Sequence, residues 1–141
     1  MKENTWIKLG EMFEDAPMMR ASSVSMSEVD DAFSGLGFEV PQDYKDFVCR
    51  YGGATVGPYS VYGLRAADTM GNDEDSALSV TQRFQADGWE GVEGSLVVSA
   101  DHSGNPVLLR PDGEIWITDH DNGGASKLAD DFEGYLLKCI G

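Results

Sequence analysis

The chain has 141 residues, enough for one domain with a single core and hardly for two. Its 41% hydrophobic and 10% aromatic content is that of a folded protein and argues against disorder throughout, and no apolar run approaches the roughly 20 residues needed to span a bilayer. Twenty-five Asp and Glu against ten Lys and Arg leave a net charge of −15, which speaks against direct nucleic-acid binding, because phosphates would be repelled, and for a basic protein partner.

The start, M-K-E-N-T-W-I-K-L-G-E, carries acidic residues and no continuous apolar stretch, so it does not read as a secretory leader, and the expected compartment is the cytoplasm. Residues 1–26 give a weak signal. Trp6, Ile7 and Leu9 suit a short helix or strand, and Ala16 to Met26 reads as a linker, so this stretch is taken as an N-terminal extension to a single domain over 27–141. The first clear element is S-E-V-D-D-A-F-S-G-L-G. Ser27 with Asp30 resembles a capping box, and Val29, Ala32, Phe33 and Leu36 recur at helical spacing before Gly37. Pro41 suits the first position of a second helix with Tyr44, Phe47, Val48 and Tyr51 as its apolar stripe and Gly52-Gly53 as its end.

Beyond it, G-G-A-T-V-G reads as helix stop and loop, since it lacks the Lys and the glycine spacing of a phosphate loop. A strand is expected over Tyr59 to Leu64, then an acidic loop, then a helix near Ala77 to Ala86. The segment from Ser95 to Asp121 reads as a β-meander. Asp112-Gly113 predicts a two-residue hairpin turn in which residue 109 faces 116 and 108 faces 117. That register puts Leu108, Ile115 and Ile117 on one face and Val107, Leu109 and Trp116 on the other, both needing cover. Ser126 is read as the cap of a last helix with the stripe Leu128, Phe132, Tyr135, Leu136 and Cys139. Without βαβ alternation, this order predicts an α+β fold, a mainly antiparallel sheet with helices packed on it. Cys49 and Cys139 both fall in helical patterns and read as buried reduced thiols.

Catalytic chemistry is not supported. Asp101-His102-Ser103 holds the residue types of a hydrolase triad, but sequence neighbours point apart, and Asp101, Ser103, Gly104 and Asn105 are turn residues. Asp119-His120-Asp121 offers potential metal ligands without a recognised spacing, so no metal and no cofactor are expected. The acidic residues instead cluster: Asp68 with Asp73-Glu74-Asp75 in a turn-rich stretch, and Asp119, Asp121, Asp130, Asp131 and Glu133 around one helix start. Asp68, Asp73, Glu74, Asp75, Asp119 and Asp121 are therefore candidate partner-binding residues. Tyr59 and Trp116 are candidate aromatic anchors, with ordinary core as the competing reading for Trp116.

L-G-F-E-V-P-Q-D-Y-K-D-F-V-C-R-Y-G-G, from Leu36 to Gly53, resembles the leading motif of the SMI1/KNR4 family of the SUKH superfamily. In that motif a helix ends at Leu-Gly, and a Leu-Pro-x-Asp-Tyr-x-x-Phe helix runs to Asn-Gly-Gly. Y-G-L at Tyr62 to Leu64, A-D-H-S-G-N at Ala100 to Asn105, G-E-I-W-I-T-D-H-D at Gly113 to Asp121 and L-A-D-D-F-E-G-Y-L at Leu128 to Leu136 follow in that family's order. Val40 stands for the usual Leu and Tyr51 for the frequent Asn. The resemblance implies an α+β domain without intrinsic catalysis. It is similar to bacterial members that bind and neutralise a toxin, often a nuclease, as immunity proteins; eukaryotic relatives suggest a regulatory or scaffold adaptor as the alternative.

Overall fold

A computed structural model describes residues 1–121 and 123–141. The described residues form α1 (Glu3–Asp15), α2 (Met26–Phe33), α3 (Gln42–Tyr51), β1 (Ala54–Val56), β2 (Tyr59–Val61), α4 (Ala77–Ala86), β3 (Leu96–Ala100), β4 (Pro106–Leu109), β5 (Ile115–Asp119), β6 (Gly124–Ala129) and α5 (Phe132–Ile140). The six strands make one antiparallel sheet in sequence order, each hydrogen-bonded to the next, as the α+β reading requires. No helix among the described residues is long and apolar enough to cross a membrane.

Residues 1–26 contribute more than a linker. Thr5, Leu9 and Phe13, spaced four apart, make the buried stripe of α1. Phe13 packs edge-on against Tyr51 of α3, ring centroids 4.7 Å apart. After α1 the chain pairs with the edge of the sheet through the Arg20–Ala54 bridge and the Ala21 N–H bond to Gly53 O. The stripe is inconspicuous in the sequence because Thr5 within it is polar and Ile7, 48% exposed, puts an apolar side chain off the buried face.

Helix starts shift by a residue or two from the expected ones. Ser25, not Ser27, caps α2: its Oγ accepts from the N–H of Glu28, and Ser25-x-x-Glu28 has the capping-box spacing. Pro41 is the N-cap of α3 rather than its first residue. The helix ends at Gly52 with φ 75°, where an added Cβ would lie 2.2 Å from Ser22 O, so only glycine fits. The glycines around 54–56 hide β1, a three-residue strand absent from the sequence reading, and β2 stops at Val61 rather than Leu64. Where β2 ends, α4 takes over the cover of β3: Thr81 Oγ1 accepts from the N–H of Val97, so the ladder donor is not left bare.

The β4–β5 register differs from expectation by one residue. Leu109 pairs with Ile115, Leu108 with Trp116 and Val107 with Ile117. The reason is a three-residue connection: Gly113 N–H bonds Arg110 O, and Gly113 alone takes a positive φ, 92°, while Asp112 does not. A type I turn followed by a left-handed glycine replaces the two-residue turn. Val107, Leu109, Ile115 and Ile117 therefore share one face, and Leu108 and Trp116 the other.

Both faces are covered. On the first, Tyr135 of α5 donates its hydroxyl to Ser99 Oγ. Phe132 meets Tyr44 and Phe47 of α3 edge-on at 5.0 and 5.4 Å, and Tyr44 O–H donates to Tyr62 O at 2.6 Å. On the second, Gly91 lies over Leu108 Cδ1, and Thr118 Oγ1 donates to Glu90 O. Ser126 does not cap a helix. It sits in β6 opposite Ile117, and α5 starts six residues later with Asp131 Oδ1 accepting from Gly134 N–H. Leu128 thus leaves the helical stripe, whose remaining members Phe132, Tyr135, Leu136 and Cys139 are all buried. Cys139 is buried and Cys49 half-buried, both free thiols.

Candidate functional site: an acidic flank around helix α4

The acidic loop leads into α4, and its backbone is held locally. Asn72 Oδ1 accepts from Glu74 N–H, and Ser76 and Ser79 bond each other's backbone N–H at the helix start. Asp68, Asp73 and Glu74 are exposed, with no ion pair among the described residues. Asp75 differs: its carboxylate is 3.2 Å from Arg83 Nη1 and its side chain is only 13% exposed, so it is a structural pair rather than a free charge.

The other end of α4 carries a second group. Past Ala86 the chain runs D-G-W-E-G-V-E-G, and Asp87, Glu90 and Glu93 are all exposed without an ion pair among the described residues. Trp89 is held edge-on between Phe84 of α4 and His120, with centroids at 5.2 and 5.3 Å. Beside it lies a concavity of ≈430 Å³ lined by Gln85, Gly88, Trp89 and Glu93. The His120 contact brings in the β5–β6 turn, with Asp119 half-buried and Asp121 exposed, its carboxylate 3.2 Å from His120 Nε2. The His120 ring is oriented from behind, because Nδ1 and the backbone N–H both meet Oδ1 of the buried Asn105. Asn105 in turn donates to Asp101 Oδ2. One acidic group thus precedes α4 and another follows it, with the ten-residue helix, about 15 Å long, between them.

The remaining acidic candidates are structural. Asp131 caps α5; Glu133 accepts from Lys2 N–H and Thr5 Oγ1; Asp130 and Glu114 pair with Lys127. Hydrogen bonds from Lys127 hold both the Asp130 and the Glu114 carboxyl below the usual carboxylate range.

The two proposed anchors lie on opposite faces of the sheet. Trp116 is half-buried on the face that carries Leu108; its Nε1 donates to Glu114 and the Arg110 guanidinium carbon stands 3.9 Å over its ring. Tyr59 is on the α5 side, stacked obliquely on His102 at 5.0 Å and lining an apolar groove with Val107, Ile117 and Tyr135. The aromatic that accompanies free carboxylates is Trp89, which the sequence reading passed over. Its signal was the alternation of Asp87, Glu90 and Glu93 with glycines around one tryptophan.

Reactive constellations are built differently from what their residue types suggest. Asp101 accepts from Ser103 N–H and Asn105 N–H and so organises a turn, while His102 turns to Pro58 O at 3.1 Å. Asp119, His120 and Asp121 each place one potential ligand atom within 4.8 Å of the others.

No curated protein matches the chain. The family model for the SMI1 / KNR4 family (SUKH-1) matches residues 23–138, from just before the cap of α2 to the last turn of α5. The chain is therefore a member of the SMI1/KNR4 family.

Proposed function

We propose that this protein is a non-catalytic, cytoplasmic immunity protein that binds and neutralises a basic cognate toxin, with the α4 flank as the surface it presents. The observation that carries this reading is the grouping of exposed carboxylates at both ends of α4, the second group around the positioned ring of Trp89. Asp68, Asp73 and Glu74 before α4 and Asp87, Glu90 and Glu93 after it have no ion pair among the described residues, while Asp130 and Asp131, between β6 and α5, are taken up by an ion pair and a helix cap. Family membership supports it independently.

Such a field raises the encounter rate with a basic surface such as a nuclease's substrate groove, and it repels nucleic acid itself. The β-sheet and the α3–α5 seam then act as a rigid mount for the flank. The test is to look for a toxin gene beside this one and to co-express its toxin domain with this protein. The protein is expected to co-purify with that domain and to rescue growth; a toxin that stays active in its presence, with no complex formed, contradicts the reading.

A further inference from the structure

Resting on that reading, we infer that the concavity beside Trp89 is a socket for an arginine side chain of the partner and is the anchor of the interface. Three features converge there. The hollow is lined by an indole, one carboxylate and one amide: Trp89, Glu93 and Gln85, with Gly88 leaving the wall open. Glu93 is exposed and has no cation among the described residues, and neighbouring Asp87 and Glu90 add to the same negative potential. Trp89 is held from two sides by Phe84 and His120, so its ring is positioned in advance and little side-chain freedom is lost on binding.

The chemistry selects the occupant. A guanidinium is planar, stacks on an aromatic ring and presents a fork of donors to a carboxylate and an amide oxygen together. An ammonium offers a compact, strongly hydrated charge. The molecule shows a comparable pairing twice within itself: Arg110 stands 3.9 Å over Trp116 and Arg50 3.9 Å over Trp6. Trp89 is the remaining tryptophan of the chain, and among the described residues no arginine covers it.

The experiment is a titration of ¹⁵N-labelled protein with a tri-arginine amide peptide and with its tri-lysine counterpart, following the indole N–H of Trp89, with that of Trp6 as control. The arginine peptide is expected to shift Trp89 saturably, to leave Trp6 in place, and to bind roughly two- to fivefold more tightly than the lysine peptide. Gln85→Lys, on the exposed side of α4, should remove the Trp89 shift, and Glu93→Gln should weaken it. Trp89→Phe, which keeps an aromatic against Phe84, identifies the resonance.

A Trp89 signal that stays still while backbone amides near Asp73 and Glu74 move, or equal responses to both peptides, overturns the socket. The same Gln85→Lys variant is then assayed against the neighbouring toxin domain. Full neutralisation by the variant overturns the socket alone, whereas no neutralisation by the wild type overturns the immunity reading instead.

Discussion

The α3–α5 seam and the α4 flank are built on opposite terms. In the seam Tyr44, Phe47, Phe132 and Leu136 have no exposure, the rings meet edge-on, and the Tyr44 hydroxyl is satisfied by a backbone carbonyl. On the flank Asp68, Asp73, Glu74, Asp87, Glu90 and Glu93 are exposed with no ion pair among the described residues, and the backbone leading into α4 is pinned by serine and asparagine caps instead. Dispersion and apolar burial stabilise the first region. The second contributes little to folding and is free to be chosen for a partner. Stability and recognition should therefore separate experimentally.

The largest effect should come from the seam. Phe47→Ala or Phe132→Ala removes a fully buried ring and should cost about 3–5 kcal/mol, enough to unfold a domain of this size. Chemical denaturation measures it, and a variant that melts with the wild type would show the seam is not the core. Tyr44→Phe should cost less, about 1–3 kcal/mol, because it strands the buried Tyr62 carbonyl without changing the packing.

High pH sharpens the same contrast. Burial pushes the Tyr44 and Tyr135 hydroxyls well above the ordinary tyrosine range and the Cys139 thiol up to about 11. Folded values above unfolded ones mean that this stability is complete below the unfolded values, about 8.5 for Cys and 10 for Tyr. It is lost as pH rises through the folded ones. The midpoint of denaturation should hold up to about pH 8.5 and fall beyond it, and Cys139→Ala should remove the early part of the fall. A profile falling between pH 6 and 8 would point to groups outside the seam.

The α+β class, the positions of α3 and α4 and the buried stripe of α5 were legible because their apolar residues recur at helical spacing. What was hidden has local causes. β6, G-A-S-K-L-A, has no apolar alternation, so Ser126 looked like a cap. The β4–β5 register turned on whether Asp112 or only Gly113 took a positive φ, which residue types alone leave open. At the site, the acidic loop was visible as a charge run, but Asp75 gave no hint of its bond to Arg83 eight residues on. Trp89 acquires meaning only when the fold brings His120 and Phe84 to either side of it.

The smallest effect on stability and the largest on binding should come from one variant, Asp73→Lys, Glu74→Lys and Glu90→Lys together, which spares the Asp75–Arg83 pair. Surface substitutions of this kind usually stay within about 0.5 kcal/mol, so the melting temperature should scarcely change. The decisive measurement is the stopped-flow association rate of wild type and this variant with the toxin domain that the proposed function calls for, at low salt and at 0.5 M salt. The wild type should associate roughly tenfold or more faster at low salt, with the advantage gone at high salt as the charges are screened. Equal rates for the two proteins at low salt would remove the α4 flank from recognition.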